Sequence, residues 1–435
     1  MKVAFYVNNA KFSSVDCRNL EKGNPGIGGT PYLIILVATM LAKRNNGIDV
    51  TLFIDKNALF PEYLSTYQVS NCLDAIINAD ENGYDYIILN SRYVKWESFD
   101  FKFIRNKLKL IPWCHNFCST KCLDVFNKEN KIARFVTVGR EQLDLLRDHS
   151  AFSKGDYIYN IVPSTQDLIE KAQSLEFSNR NHNVVYIGSL LWAKSFHVLA
   201  SIWKSIKEEV PDAQLFVIGT GNLYNKEVVL GKYGLTSESY ENLIVKNLLD
   251  ENGNIDSSVH FLGKLGLEKY DILMNSKVGV PNPTGKGETF CLSAVEMQLL
   301  GCTITAMESP GYYDTVVNGI LVKNNGELKQ SIVSLLTKES PIVDYESTLK
   351  YIKDNFSIES VIKDWEQLLL GDFRTHIHPI KPLFHPNYRL KKFKEYIRIL
   401  KTKKYCPKMI INLEFFYDLY YRLVDKIQRL YYNIK

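Results

Sequence analysis

Short apolar runs alternate with helical patterns along the first 370 residues, and this alternation narrows the fold more than any other feature. Strands that alternate with helices are typical of parallel βαβ units. The runs fall into two series, so we predict two doubly wound sheets in tandem, with a boundary near residues 160–179. The first series of candidate strands covers residues 3–7, 50–54, 86–89, 110–113 and 135–138. The second covers residues 184–187, 214–218, 259–261, 278–280, 304–306 and 320–322.

The length of 435 residues is long for one domain, and two α/β domains of ordinary size are the natural expectation. We predict a first domain over residues 1–165 and a second over residues 166–355. Residues 356–370 are expected to form a crossover helix that returns to the first domain. No apolar run approaches the roughly 18 residues that a membrane-spanning helix needs, and residues 3–7 suit a buried strand better than a signal peptide.

The eight cysteines show no disulfide framework, which favours reduced thiols and a cytoplasmic protein. Cys114, Cys118 and Cys122 are spaced by four, so a helix would place the three thiols along one side. Zinc sites usually add a second pair of ligands well downstream, and this sequence has none. We therefore expect small buried thiols here and no metal site.

The basic residues gather in a C-terminal tail, residues 371–435, which carries 15 Lys and Arg against 5 Asp and Glu. The first 370 residues carry 38 basic against 43 acidic residues. This separation indicates an anionic partner for the tail. Residues 376–387 are rich in proline and histidine and are predicted to be a linker. A metal site on these histidines is not expected, because the prolines prevent them from sharing a helix face.

We expect residues 388–408 to contact an anionic membrane, since each basic residue near such a surface contributes about 1 kcal/mol. The basic residues there are Arg389, Lys391, Lys392, Lys394, Arg398, Lys401, Lys403, Lys404 and Lys408. Aliphatic and aromatic residues alternate with them and suit the membrane interface. Residues 409–435 have apolar residues at a 3-4 spacing, which fits a coiled-coil homo-oligomer, packing on the body of the protein or lipid contact.

A glycine-rich turn, Gly26-Ile27-Gly28-Gly29-Thr30-Pro31, precedes a strongly apolar helical pattern. Glycines let the backbone approach a ligand closely, and Pro31 suits a first helical turn. The free N–H groups at such a helix start can face an anion such as a diphosphate. An ordinary turn and helix cap has the same pattern, so this motif alone does not decide the function.

A second motif is the predicted strand end Gly188-Ser189, with Lys194 six residues past the glycine. A lysine placed after a strand and a glycine can bring a cation beside a phosphate. The simpler alternative is a solvated lysine at a helix start.

The third motif is a loop rich in proline and glycine that is predicted to run into a helix, with Glu288 at the helix start and Glu296 eight residues later. At 1.5 Å per residue the two carboxylates would lie about 12 Å apart along the axis. That distance matches the reach of a sugar nucleotide, with one acid at the sugar hydroxyls and the other at the ribose. Because Glu296 lies among apolar residues such as Ala294 and Val295, we expect it to have a partner.

Together these stretches resemble glycosyltransferase family 4, over roughly residues 1–370 and most specifically over residues 184–322. The resemblance implies an α/β GT-B fold, in which two Rossmann-like doubly wound domains face a central cleft. In this chain a basic helical C-terminal tail follows that fold.

The resemblance also implies roles for individual residues. Glu288 would contact the donor sugar, Glu296 the ribose and Lys194 the diphosphate, while His115 would turn toward the sugars. Glu288, His115 and Lys194 are therefore the catalytic candidates. The residues implied to bind the donor are Gly28, Gly29, Gly188, Ser189, Lys194, Glu288, Thr289, Phe290 and Glu296.

The sequence departs from the family pattern at three positions. Ser189 stands where the family commonly has an arginine, and Arg140 or Lys286 is the candidate to replace that charge. Thr289 and Cys291 stand where glycines are common.

The activity implied is retaining transfer of a sugar from a UDP-sugar or GDP-sugar to a polyprenyl-diphosphate-linked saccharide, in the synthesis of a bacterial surface polysaccharide of the O-antigen, lipopolysaccharide or capsule type. The expected location is the inner face of the cytoplasmic membrane, with the protein bound peripherally. The sequence has no Asp-x-Asp motif, so we expect no metal or other cofactor, and Lys194 with backbone dipoles would stabilise the leaving diphosphate.

Two alternatives remain open at this point. The first is another GT-B enzyme, such as a sugar-nucleotide epimerase or a phosphorylase. The second is a nucleic-acid-binding or nucleic-acid-modifying transferase that uses the basic, aromatic tail. We rank nucleic acid below lipid as the partner, because charged tails more often contact lipid or stay solvated.

Overall fold

The computed structural model describes residues 1–44, 46–222, 229–371 and 387–402, and single residues between 413 and 430. The chain divides into two compact units. The first unit consists of Met1–Glu21, Gly29–Ile161 and Ile358–Lys426. The second unit consists of Lys22–Gly28, Val162–Ser357 and Ile427–Lys435.

The first unit contains a seven-stranded sheet in the order β3-β2-β1-β4-β5-β6-β7, with every strand pair parallel. Its strands are β1 Lys2–Val7, β2 Asp49–Ile54, β3 Ser65–Gln68, β4 Tyr86–Asn90, β5 Lys109–Cys114, β6 Phe135–Thr137 and β7 Gly155–Tyr157. All five predicted strands of the first series are present. The two that the sequence did not reveal, β3 and β7, form the two edges of the sheet.

The second unit contains a six-stranded parallel sheet in the order β10-β9-β8-β11-β12-β13. Its strands are β8 Asn181–Ile187, β9 Gln214–Ile218, β10 Val259–Gly263, β11 Ser276–Gly279, β12 Thr303–Met307 and β13 Gly319–Val322. This is the 3-2-1-4-5-6 order of a doubly wound dinucleotide-binding fold. The predicted fold class, two Rossmann-like α/β units with a helical C-terminal tail, is confirmed.

Helices fill the connections between the strands. In the first unit they are α1 Gly29–Arg44, α2 Cys72–Glu81, α3 Thr120–Lys128 and α4 Arg140–Asp144. In the second unit they are α5 Gln166–Gln173, α6 Phe196–Glu209, α7 Glu238–Val245, α8 Lys269–Met274, α9 Leu292–Leu299, α10 Pro310–Thr315, α11 Asn325–Leu336 and α12 Tyr345–Phe356. Two more belong to the first unit, α13 Ile358–Leu369 and α14 Tyr388–Thr402.

Burial explains why the strand runs were readable from the sequence. In β1 the five residues from Val3 to Val7 are all buried, and so are the last five residues of β2. A parallel sheet covered by helices on both faces needs such continuous apolar runs, rather than alternation of apolar and polar residues. By contrast, all four residues of β3 are exposed, which leaves that edge strand without an apolar signal.

Helix α13 packs on the sheet of the first unit, although it follows the second unit in the chain. The Trp365 ring lies 6.0 Å from the ring of Phe5 and 4.8 Å from that of Trp113. Arg44 at the end of α1 forms an ion pair with Glu366, at 3.1 Å. The predicted crossover helix over residues 356–370 corresponds to this element, which begins two residues later than expected.

Helix α14 is held on the first unit by ion pairs, and this corrects part of the membrane prediction. The Nζ atom of Lys391 lies 2.6 Å from Glu141 and 2.9 Å from Asp144, and Lys394 lies 3.1 Å from Asp148. All five side chains are buried. Lys391 and Lys394 therefore do not face a membrane, because their anionic partners are supplied by the segment around α4.

The opposite face of α14 exposes apolar and basic residues together. Phe393, Tyr396 and Ile399 are 53%, 57% and 42% exposed, and Arg389 and Lys392 are exposed beside them. The predicted linker, residues 376–387, lies outside the described residues except for Asn387, and so do Lys403, Lys404 and Lys408. In the predicted helix of residues 409–435 only single residues are described. No helix among the described residues is both long and apolar enough to span a membrane.

Candidate active site

The candidate site of the second unit lies where two loops leave neighbouring strands. The strand order reverses between β8 and β11, and ligands of doubly wound sheets bind beyond the carboxyl ends of the strands at this point. Gly188 and Ser189 follow β8 directly, and a short helical turn, Trp192–Lys194, comes next. The loop that carries Glu288 follows β11. The topology therefore brings Lys194 and Glu288 to the same edge of one sheet.

Lys194 and Glu288 form a direct ion pair. The Nζ atom of Lys194 lies 2.5 Å from Oε1 of Glu288. The glutamate side chain is 6% exposed and the lysine side chain 36% exposed, so the cation is the solvent-facing member of the pair. An ammonium in this position can move toward an incoming anionic ligand without leaving the site.

Asn282 supports the Glu288 carboxylate from the same loop. Its Nδ2 atom donates to Oε1 of Glu288 at 3.0 Å, and also to the backbone oxygens of Ala193 and Lys286. Tyr312 holds the backbone of Asn282, since its hydroxyl accepts from the amide N–H at 2.9 Å and donates to the carbonyl at 2.8 Å. Neither Asn282 nor Tyr312 was predicted from the sequence.

Glu288 precedes helix α9, so the prediction that it begins the helix is wrong. The helix begins at Leu292, and Gly287 has a φ of +74°, which a right-handed helix excludes. The Glu288 carbonyl accepts from Ser309 Oγ and from the Gly311 N–H, each at 3.1 Å. A Cβ atom on Gly311 would lie 2.9 Å from that same carbonyl oxygen. The expected separation of about 12 Å between the Glu288 and Glu296 carboxylates assumed that both lie on one helix, and it therefore does not apply.

Thr289 and Phe290, predicted to bind the donor, are buried between Glu288 and α9. Phe290 packs edge-on against Phe356, with the ring centroids 5.2 Å apart. Its aromatic ring therefore supports the loop that carries Glu288.

The two loops are also joined through Ser195, which has a left-handed backbone conformation with φ +53°. Thr284 donates from its hydroxyl to Ser195 Oγ at 2.8 Å. A left-handed serine is uncommon, and such strained residues cluster at functional sites. Because Ser195 directly follows Lys194, its backbone conformation helps to fix the position of the Lys194 backbone.

Glu296 has the partner that its apolar surroundings predicted. It lies on α9, and both of its carboxylate oxygens accept from Lys269 Nζ, at 2.9 and 3.0 Å. The lysine side chain is 10% exposed and the glutamate side chain 17% exposed. Burial, followed by the Glu296 charge, raises the pKa of the adjacent Tyr270 well above its ordinary value. Lys269 lies in no sequence motif and was not predicted.

Ser189 lies buried at the end of β8, and its Oγ atom has no hydrogen-bond partner among the described residues. Of the two candidates to replace the family arginine at this position, Lys286 lies in the loop of Glu288 and is half-buried. Its charge, after burial, contributes to lowering the pKa of His197 to about 4. Arg140 belongs to the first unit, where it lies 3.6 Å from Glu141.

The remaining predicted residues divide between the units. Gly28 belongs to the second unit, while Gly29 begins α1 in the first unit. His115 follows β5 and is 9% exposed, with its ring 4.5 Å from that of Trp113. Burial lowers the pKa of His115 to about 3, so its imidazole is uncharged at neutral pH.

No three His, Cys, Asp or Glu side chains in the described part of the chain are placed to hold a metal ion. The three thiols weighed as a cluster do not share one helix, because Cys114 ends β5, Cys118 lies in the following loop and Cys122 lies in α3.

Comparison with known proteins points to the same region. Residues 181–338 match the family model described as "Glycosyl transferases group 1". An uncharacterised glycosyltransferase of Haemophilus influenzae is 23% identical over 287 residues, which are 65% of this chain and 70% of that protein. These findings support a GT-B glycosyltransferase.

Solved structures of similar fold are GT-B proteins. HepE of Anabaena, in complex with UDP and glucose, is 15% identical with a TM-score of 0.58, over 85% of this chain and 100% of that one. A glycosyltransferase of Rickettsia africae is 13% identical with a TM-score of 0.57, over 85% of this chain and 99% of that one. The segment matched by the family model contains Lys194, Lys269, Glu288 and Glu296.

Proposed function

We propose that this glycosyltransferase moves a sugar, with retention of configuration, from a nucleoside-diphosphate sugar to a saccharide acceptor. The observation that carries the proposal is the 2.5 Å ion pair of Lys194 and Glu288 at the strand ends where the sheet order reverses. Glu296, held by Lys269 in the same unit, supplies the second carboxylate that a sugar nucleotide needs.

In the proposed donor complex the two carboxylates accept hydrogen bonds from hydroxyls. Glu296 accepts from the ribose diol, because an ionised carboxylate has enough lone pairs to bind Lys269 and a diol together. Glu288 accepts from the hydroxyls of the transferred sugar, with Asn282 fixing its orientation. The resemblance to family 4 assigns His115 a contact with the sugars, for which its uncharged imidazole is suited.

Lys194 stabilises the negative charge that develops on the diphosphate as the bond to the sugar breaks. Ser189 offers a hydroxyl and Lys286 a second cation on the same side of the sheet. We propose that attack and departure occur on one face of the sugar, as the family resemblance implies. The leaving phosphate then accepts the acceptor's proton, and no separate general base is required.

A UDP-sugar is the first donor to test, since the similar fold of HepE was solved with UDP and with UDP-glucose. A GDP-sugar is the second. We further propose that the reaction needs no metal ion, because Lys194 and backbone dipoles neutralise the diphosphate. Transfer that is abolished by a chelator and restored by Mg²⁺ or Mn²⁺ would overturn this part of the proposal.

For the acceptor we propose a lipid-linked saccharide of a bacterial surface polysaccharide. The exposed face of α14 supports this, because Phe393, Tyr396 and Ile399 lie beside the exposed Arg389 and Lys392. Apolar side chains flanked by cations suit the interface of an anionic membrane, which would bring the protein to such an acceptor.

The proposal is tested by screening UDP-sugars and GDP-sugars for a rise in melting temperature, because a ligand that binds the folded state stabilises it. At least one donor should raise the melting temperature of the wild type. Lys194→Ala and Glu296→Gln should reduce that rise, whereas Lys204→Ala and Glu208→Gln, at exposed positions of α6, should retain it. No response to any donor, or an equal response in all variants, would overturn the proposal.

A further inference from the structure

Three cysteines lie close together at the end of β5 in the first unit. Cys114 is the last residue of β5, Cys118 lies in the loop that follows, and Cys122 lies in the first turn of α3. The Sγ atoms of Cys114 and Cys118 are 3.3 Å apart. Cys122 is fixed by Ser119, whose hydroxyl caps α3 by accepting from the Cys122 N–H at 3.2 Å.

The three thiols differ in their access to solvent. Cys114 is fully buried and Cys122 is 7% exposed, while Cys118 is partly exposed. A reagent from solution therefore meets Cys118 before the other two. Covalent chemistry of this cluster is therefore expected to begin at Cys118, whose Sγ atom lies 3.3 Å from that of Cys114.

The surroundings also make Cys118 the nucleophile of the pair. Hydrogen bonding with Cys114 and Cys122, followed by Ser91 and the charge of Arg92, outweighs burial and lowers the pKa of Cys118 well below its ordinary value. Burial raises the pKa of Cys114 well above its ordinary value. A thiolate attacks disulfides and a thiol does not, so the first attack belongs to Cys118.

We propose that Cys118 and Cys114 form a reversible disulfide when the protein meets a small-molecule disulfide such as oxidised glutathione. The sulfurs have to approach by about 1.3 Å to reach the bond length of a disulfide. The intervening residues 115–117 are a bend and irregular chain, which can supply this movement more readily than β5 or α3.

The exchange proceeds in two balanced steps. The Cys118 thiolate attacks one sulfur of oxidised glutathione, the glutathione S–S bond breaks, and one glutathione leaves as a thiolate that takes up a proton from water. Cys114 then loses its proton to water, and its sulfur attacks Cys118 Sγ and releases the second glutathione as a thiolate, which also takes up a proton from water. Two protein thiols are oxidised, and one oxidised glutathione is reduced to two thiols.

The disulfide would close a ring that contains His115. In the reduced protein, Gln142 Nε2 donates to the carbonyls of Cys114 and Asn116, at 2.9 and 3.0 Å, and so fixes the chain on both sides of His115. Movement of Cys118 toward Cys114 strains this arrangement. We therefore expect oxidation to lower sugar transfer, and this consequence rests on the proposed function whereas the disulfide itself does not.

The test is to equilibrate the full chain with oxidised and reduced glutathione, block the remaining thiols and map disulfides by mass spectrometry. The expected result is joint loss of the Cys114 and Cys118 thiols, while the buried Cys17, Cys291 and Cys302 stay reduced. A wild-type protein in which Cys118 stays reduced, or pairs with Cys122, would overturn the proposal.

Three variants sharpen the assignment. Cys114→Ser should stop at a glutathione adduct on Cys118, Cys118→Ser should leave Cys114 reduced, and Cys122→Ser should still form the disulfide. A Cys114–glutathione adduct in Cys118→Ser would contradict the order of attack. Oxidised wild type should lose transfer and regain it with dithiothreitol, while Cys122→Ser responds in the same way. Because the mapping needs no activity, failure of the proposed function would not obscure its result.

Discussion

Lys269 binds both carboxylate oxygens of Glu296, at 2.9 and 3.0 Å, in a nearly buried ion pair. The pair lies in the segment that matches the glycosyltransferase family model, and it fixes the orientation of the carboxylate proposed to bind the donor ribose. Under the proposed function Lys269 is a positioning residue, since it would act on the donor through Glu296.

The first prediction concerns this pair. Lys269→Met should raise KM for the donor about tenfold while kcat changes less, since a lost charge-assisted hydrogen bond contributes roughly 1.5 kcal/mol or more. The preference for a ribose over a 2′-deoxyribose donor should also weaken. Lys246→Met, at an exposed lysine of the same unit, is the matched control. Unchanged KM and unchanged sugar preference in Lys269→Met would contradict the role given to Lys269.

The second prediction concerns the docking of α14 on the first unit. Lys394 is 2% exposed and pairs with the fully buried Asp148 at 3.1 Å, while Lys392 on the same helix is exposed. Removing one member of a buried ion pair costs about 3–5 kcal/mol, so Lys394→Met should lower the free energy of unfolding by that order. In urea unfolding, the free energy of unfolding of Lys392→Met should be close to that of the wild type. Equal stability of the two variants would argue against the buried pair.

The third prediction follows from the uncharged His115. In the unfolded chain its pKa returns to about 6.5, whereas burial lowers it to about 3 in the folded protein. Below pH 6.5 the unfolded chain therefore binds a proton that the folded protein does not. The free energy of unfolding decreases as the pH is lowered from 6.5 to about 3. His115→Asn should make this fall shallower by about 1 kcal/mol per pH unit. Urea unfolding of the wild type and of His115→Asn between pH 4 and 7 measures this difference in slope. Parallel plots of the free energy of unfolding against pH would contradict the prediction.

The fourth prediction concerns the exposed face of α14. The double variant Arg389→Gln/Lys392→Gln should weaken binding to vesicles that contain phosphatidylglycerol by about 30-fold, because each cation contributes about 1 kcal/mol. Lys204→Gln/Lys246→Gln removes two exposed lysines of the second unit and should bind as the wild type does. Cosedimentation with anionic and with neutral vesicles gives both affinities. If both double variants bind equally well, α14 does not contact the membrane through this face.

Most of the fold could be predicted from the sequence, because buried parallel strands require continuous apolar runs. Strand β3, with its residues all exposed, and β7, only three residues long, carry no such run and were missed. The helix start at Glu288 was misplaced, since the loop is held by hydrogen bonds from Ser309 and Gly311, which lie more than twenty residues away. Sequence spacing does not contain such contacts.

The candidate site could be predicted in part, because some of its residues lie in local sequence motifs and others do not. Lys194, Glu288 and Glu296 lie in recognisable local motifs, and the structure pairs the first two directly. Lys269 became visible only in three dimensions, because it lies 27 residues before Glu296 in a helix without a motif. The first domain held a signal that was not used: Glu141, Asp144 and Asp148 are spaced by three and four residues, which predicts an acidic face that a basic helix can pair with.

The most direct test of the central claim is steady-state release of nucleoside diphosphate from the donor by Lys194→Ala and Glu288→Gln. Each variant should lose at least about tenfold in turnover, because each lacks a contact that stabilises the transition state. Circular dichroism should stay at the wild-type value, and the exposed controls Lys204→Ala and Glu208→Gln should turn over normally. Near-normal turnover in folded Lys194→Ala and Glu288→Gln would contradict the assignment of sugar transfer to this pair.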